Sequence, residues 1–234
     1  MAKLFGSSGV RGLANVDLTP ILACKVASAV ATHAKAKKAV VARDTRVSGS
    51  MLEDALVSAL YLNAFIRHAY SVRLANYGPM VVSLGKNLAR IDSHVLLETV
   101  YYPFALYSRT CGQLALDVLW YGDTFSGTYR NRTYTGIRTL DVTATLDNAL
   151  KQLVVYVVNQ SKKDAMETTI SLTSGEFAGD IKASIINGPD IKAENTEEKP
   201  NQVVTKELVL KASGKSFTFT FEPHSITALV CTVS

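Results

Sequence analysis

No stretch of the sequence approaches the roughly 18 consecutive apolar residues that a membrane-crossing helix needs. The opening Met-Ala-Lys-Leu-Phe-Gly-Ser-Ser also lacks the charged-then-apolar pattern of a secretion signal, so a cytoplasmic address without membrane contact is the expectation. Cysteine is scarce. Cys24, Cys111 and Cys231 are odd in number, far apart and without ligand-spaced neighbours, which excludes a disulfide framework and a structural zinc site and leaves buried thiols as the expectation. Charge of one sign is thin as well. The net charge is +5, and the basic residues are scattered apart from Lys35, Lys37 and Lys38, so a nucleic-acid surface is not expected. No two of His68, His94 and His224 have metal-ligand spacing, and no repeat or low-complexity tract is present. Neither metal nor cofactor is expected.

What is present is enough for a core. The chain has 234 residues, 47% of them hydrophobic, and could form one large or two small domains. Its organising stretch is residues 51–69, where Leu52, Ala55, Leu56, Ala59, Leu62, Ile66 and Ala69 recur at steps of three and four. That spacing predicts a helix, running on to about Val72, with Glu53, Asp54, Tyr61, His68 and Ser71 on the opposite, polar side.

Before this helix the pattern is α/β. Thr19-Pro20 supplies a capping hydroxyl and a proline at the first helical position, and residues 39–42 form a short apolar run fit for a buried strand. Two loops stand out. Residues 6–12, Gly-Ser-Ser-Gly-Val-Arg-Gly, combine glycines with Ser7, Ser8 and Arg11, and residues 43–49 carry Arg43 and Arg46 at the end of the strand. Guanidinium groups, hydroxyls and loop N–H groups suit a phosphate, although a Gly/Ser-rich turn with an arginine is often only a turn.

After the helix the pattern turns to β. From Val95 onward short alternating or wholly apolar runs dominate: 95–101, 114–118, 153–158, 170–172, 181–186, 208–210, 217–221 and 226–233. Polar turns separate them, and residues 195–201 read as a surface loop. The fold class expected is therefore mixed. A small N-terminal α/β fragment (1–52) and a long linking helix (within 53–92) precede an all-β antiparallel sandwich of jelly-roll type (93–234). Trp120, Tyr121, Phe125, Tyr129 and Tyr134 crowd one loop with Asp123, Arg130 and Arg132. Such a mixture can stack on a sugar face and bind its hydroxyls.

Two resemblances follow from these residues. Residues 4–12, Leu18-Thr19-Pro20, 41–49 and 51–56 resemble the opening of the first domain of the phosphohexomutases, the phosphoglucomutase and phosphomannomutase family. The resemblance implies that Arg11 faces a phosphoserine and that residues 43–48 help shape the same site. Ser7 stands where threonine is usual. The family's Ser-His-Asn-Pro phosphoserine loop and Asp-Gly-Asp magnesium loop are both absent, so phosphoryl transfer has no mechanism here and phosphosugar binding is what is left.

Residues 53–56, 62–69, 75–76, 98–109, 140–145, 157–159, 187–191 and 223–226 resemble the end of the α-L-arabinofuranosidases of glycoside hydrolase family 51. The resemblance implies that the helix at 53–68 closes a catalytic barrel and that the sandwich packs on it, with arabinose-containing polysaccharide as partner. The barrel strands that carry the family's two catalytic glutamates have no counterpart. Glu53 and Asp54 are adjacent, about 100° apart on a helix, and cannot flank one glycosidic bond. For neither Glu98 nor Glu176 does the sequence predict a second carboxylate that would complete a catalytic pair. The expectation is an inactive, truncated or fused relative with no catalytic residue of its own. The aromatic loop then either binds carbohydrate or packs on the missing barrel. Residues 52–60 suit both families, so the join keeps the helix in register, and the exposed apolar surface implies self-association.

Overall fold

The computed structural model describes residues 51–72, 75, 81–82, 89–91, 95–129 and 132–234. All the described residues belong to one compact unit, Thr45–Ser234. The candidate phosphate-binding residues Ser7, Ser8, Arg11, Arg43 and Arg46, and Cys24, lie outside the described residues.

Helix α1 (Leu52–Arg67) comes first, then the short strands β1 (Val81–Val82), β2 (Ala89–Ile91) and β3 (Val95–Leu97), which form a small sheet of their own. Helix α2 (Tyr101–Thr110) follows, and ten strands complete the chain: β4 (Leu114–Leu116), β5 (Thr124–Tyr129), β6 (Arg132–Arg138), β7 (Leu140–Asp147), β8 (Gln152–Asn159), β9 (Met166–Ser171), β10 (Phe177–Asn187), β11 (Val204–Gly214), β12 (Ser216–Phe221) and β13 (Ile226–Val233).

The main sheet has six antiparallel strands in the order β11-β10-β13-β8-β7-β4. Strand β8 shows why it is double-faced. Its sequence Gln-Leu-Val-Val-Tyr-Val-Val-Asn is buried almost throughout, as a strand covered on both sides requires. Val154, Tyr156 and Val158 join one core with Leu52, Ala55, Leu56 and Ala59 of α1 and Leu106 and Tyr107 of α2. Leu153, Val155 and Val157 join a second core, against which Met166, Ile170, Phe217 and Phe219 of the two-stranded β9–β12 ribbon pack. The sheet is thus sandwiched between a helical layer and a β ribbon, and the antiparallel sandwich expected from the alternating runs is present.

Several details differ from the sequence reading. Helices do not stop before Val95: α2 occupies residues read as strand and connection. Pro103 sits in its first turn, where backbone N–H groups have no intrahelical acceptor, so the proline costs no hydrogen bond. Helix α1 ends at Arg67 rather than about Val72, because His68 leaves helical geometry and residues 68–72 close in tight turns, His68 N–H to the Ala64 carbonyl and Ala69 N–H to that of Ile66. The buried stripe of α1 includes Asp54 and Asn63, whereas Ala69 is exposed. Cys231 is buried but Cys111 is exposed, at the C-terminus of α2. Asn195, read within a surface loop, is buried. Its Nδ2 donates to the carbonyls of Leu97 (3.0 Å) and Val203 (2.9 Å), and its Oδ1 accepts from the Val203 N–H (2.8 Å).

The N-terminus of α1 has no side-chain cap. Two of its free N–H groups are satisfied by backbone instead: Leu52 donates to the Ala193 carbonyl (2.8 Å) and Glu53 to that of Ile191 (3.0 Å). Gly188 makes that approach possible, since a Cβ there would lie 3.0 Å from both Ala193 Cβ and Val203 Cγ2.

Candidate functional site

Two polar regions merit chemical scrutiny. One lies between α1 and the main sheet, buried at Tyr107 and Asn63 and open to solvent at Arg67. Tyr107 Oη donates to Asn63 Oδ1 (2.6 Å), Asn63 Nδ2 donates to Asp141 Oδ1 (2.7 Å), and Arg67 Nη1 donates to the same oxygen (2.8 Å) and to the Val142 carbonyl (3.2 Å). The Tyr107 ring stacks on Tyr156 at 4.1 Å between centroids, and the Tyr156 and Thr110 hydroxyls are 2.8 Å apart. Burial holds both phenols above their ordinary pKa. For Tyr107 the neighbouring Tyr156 and Asp141 add to the effect. Neutral, stacked and hydrogen-bonded, these groups are poor bases and poor nucleophiles. Their role is to lock α1 and α2 onto β7 and β8.

The second region is the aromatic segment 120–138, read from sequence as a loop. It is in fact a hairpin, β5–β6, which among the described residues pairs with no other strand. An irregularity between Phe125 and Gly127 shifts the register, so Phe125 faces Ile137 and Gly127 faces Tyr134. Gly136 takes a positive φ of 68° at this irregularity. The shift puts Phe125, Ile137 and Tyr134 on one face. Arg138, the neighbour of Ile137, therefore lies on the other.

Trp120 belongs to that other face. The Arg138 guanidinium carbon sits 5.0 Å from the Trp120 ring centroid, a cation–π arrangement, and the indole lies over Gly122, where a Cβ would come within 3.0 Å of it. Tyr121 is 89% exposed and Tyr134 49% exposed. Of Tyr129 only the backbone position is described, opposite Arg132. The four candidates are therefore not gathered on one surface: Trp120 and Tyr134 stand on opposite faces of the hairpin. Arg138, which sequence reasoning passed over, is the charged group that engages an aromatic ring. The hairpin is closed at its base by the Thr139 N–H to the Asp123 carbonyl (2.9 Å), and Gln160, just after β8, ties that base down through its Nε2 to the Arg138 carbonyl (2.8 Å) and its N–H to the Thr139 carbonyl (2.9 Å).

The remaining candidates have structural surroundings. Glu53 is exposed at the start of α1, and Asp54 beside it is buried. Glu98 is buried just after β3. His224, at a φ of 44°, sets its two ring nitrogens 3.2 Å and 3.3 Å from the Lys162 and Gly188 carbonyls. Asn159 Nδ2 gathers the carbonyls of Asp164, Phe221 and Glu222. Among the described residues no group of three or more His, Cys, Asp or Glu side chains is arranged to hold a metal, and no helix is long and apolar enough to cross a membrane.

The family model for the α-L-arabinofuranosidase C-terminal domain matches residues 29–225. The α-L-arabinofuranosidase from Thermotoga maritima is similar in structure, with a TM-score of 0.69 at 23% identity over 81% of this chain and 40% of that one. The family 51 enzyme from Thermotoga petrophila gives 0.69 at 23% identity over 82% and 40%. At such identities the likeness is one of fold. Separately, N-terminal residues match mutases. A phosphoglucomutase/phosphomannomutase of Thermococcus kodakarensis is 52% identical over 65 residues, and a phosphoglucosamine mutase of Salinispora arenicola is 58% identical over 66. The matched segments make up 14% and 15% of those mutases, and 26% of this chain. The chain thus spans well under half the length of the relatives it matches, in sequence or in structure.

Proposed function

Because the chain belongs to the α-L-arabinofuranosidase C-terminal domain family, matched over most of its length, we propose that it is a truncated or fused relative of α-L-arabinofuranosidase whose β domain supports structure and carries no hydrolysis of its own. The observation that carries this reading is the Tyr107–Asn63–Asp141–Arg67 network. It makes α1, the helix that resembles the closing element of a barrel, an integral part of the sandwich, complete with its own core. Retaining hydrolysis needs two carboxyl groups about 5 Å apart across one bond, and the adjacent Glu53 and Asp54 diverge, one outward and one into the core. We divide the chain into a mutase-like fragment (1–52), a linking segment (53–92), expected as helices but holding the short strands β1 and β2 after α1, and the sandwich (93–234), with a cytoplasmic address and self-association. The test is release of nitrophenol from p-nitrophenyl α-L-arabinofuranoside by the purified chain. No release above buffer is expected, and turnover proportional to protein would overturn the reading.

A second reading, carbohydrate binding by Trp120, Tyr121, Tyr129 and Tyr134, draws support from the exposure of Tyr121 and Tyr134 and from the Arg138-backed indole. Retardation in gels containing arabinan or arabinoxylan, lost on Trp120→Ala, is its expected signature. Mobility equal to that in plain gels would dismiss it. Phosphosugar binding by the mutase-like fragment rests on its sequence match alone, and phosphate titration followed by NMR at Ser8, Arg11 and Arg46 tests it.

A further inference from the structure

Strand β11 ends the six-stranded sheet. It is paired along its full length with β10 on one side, from Val204 opposite Asn187 to Gly214 opposite Phe177, and among the described residues no strand adds to its other side. Eleven residues is long for an edge, and an edge of that length is a template for another strand. Its middle is also apolar where it should not be: Leu208 is 41% exposed and Val209 61% exposed, between the exposed Lys206, Glu207 and Lys211.

We propose that β11 pairs antiparallel with β11 of a second copy of this chain, with Val209 on the two-fold axis, so that two main sheets become one. Antiparallel geometry limits the choices. Facing residues both turn their N–H and C=O groups into the shared ladder or both turn them away, so two copies of one strand can pair only with a residue, not a peptide bond, on the axis. Side-chain chemistry selects among the rest. With Leu208 on the axis, Lys206 faces Leu210. With Leu210 on the axis, Lys211 faces Val209. With Lys206, Glu207 or Lys211 on the axis, like charges meet. Only with Val209 there does Glu207 of each copy face Lys211 of the other, while Leu208 of each faces Leu210 of the other; Lys206 then falls opposite Ala212, whose methyl is small enough to leave the long lysine side chain room to reach water. Leu210 already packs against the second core and Ala212 is buried in it, so the Leu208–Leu210 pairs would continue that core across the junction. Val209, Glu207 and Lys211 fall together on the opposite face. The lysines also explain the selectivity, since they oppose pairing with strands that lack a carboxylate at that place.

This pairing supplies a surface for the proposed self-association, and the presence or absence of hydrolysis leaves it untouched. The test is sedimentation equilibrium of the full chain and of three exposed-site variants, with circular dichroism melts to verify that each is folded. The wild type should show a reversible monomer–dimer equilibrium. Glu207→Lys and Lys211→Glu should each weaken the dimer by about tenfold, because two attractive cross-strand pairs become repulsive. The double variant E207K/K211E should return to within about threefold of wild type, since the pairs are restored with reversed sign. A wild type that stays monomeric overturns both self-association and its surface. A dimer indifferent to the charge reversals, or growth beyond two copies, overturns the β11 pairing alone.

Discussion

Strand β8 and the β5–β6 hairpin use similar residues to opposite ends. Both are rich in β-branched and aromatic side chains, yet β8 is buried nearly end to end while the hairpin is exposed along almost its whole length. Propensity does not separate them. What separates them is company: β8 has β7 and β13 as neighbours and a core on each face, whereas among the described residues the hairpin strands pair with each other alone and are tied down at their base by Gln160. Strand-forming residues mark where a strand can form, and burial decides how much that strand contributes to stability.

The contrast can be broken most forcefully at Tyr156, which is fully buried and stacked on Tyr107. Replacing it with alanine should cost about 3–5 kcal/mol, seen as a large fall in the urea midpoint. Gly112 comes next. A Cβ there would stand 2.6 Å from the Leu146 carbonyl carbon, where α2 hands over to β4 beside β7, so Gly112→Ala must shift backbone and should cost about 1–3 kcal/mol by the same assay.

Alkaline titration offers a finer probe. Tyr156 is held above its ordinary value of 10.0 by burial, and Cys231 is pushed up to about 12 from 9.0 by the same cause. Folding therefore favours the protonated forms. Their contribution is complete below the unfolded-state values, and stability should decline as pH rises past about 9 for the thiol and 10 for the phenol. Above pH 10, Tyr156→Phe should remove about 1.4 kcal/mol per pH unit from that decline, measured by denaturant melts across the range. The smallest effect is expected in the hairpin. Tyr121→Ala should alter stability by less than about 0.5 kcal/mol, and a larger loss would mean that the hairpin is packed against something that its exposure does not reveal.

How legible this was from sequence varied with the range of the interactions. Strands β8, β12 and β13 could be read because each carries its own pattern. Helix α2 could not, because Tyr-Tyr-Pro at its start favours extended backbone, and what holds it helical is the packing of Leu106 and Tyr107 on a sheet formed mostly later in the chain. The buried polar positions of α1 were hidden for a similar reason. Asn63 looks like a surface residue until Tyr107 and Asp141 arrive from distant segments to satisfy it. In the hairpin, Gly127, Gly136 and the register shift between them break the alternation that would have announced two strands. The aromatic residues themselves were recognised, but their division between two faces was not, and neither was Arg138, since a one-residue slip reverses every side chain beyond it.

The backbone cap on α1 has a consequence for the order in which the molecule assembles. Leu52 and Glu53 emerge from the ribosome early, whereas the carbonyls of Ile191 and Ala193 that receive their N–H groups are made only after β10 is complete. Until then the first turn of the helix has water for a partner, and its apolar stripe has no finished sheet to cover it. Closure of this end of the domain is thus a late, long-range event in synthesis. A nascent chain halted before residue 190 should hold α1 only as a fraying segment, open to proteases at a point that the finished protein shields.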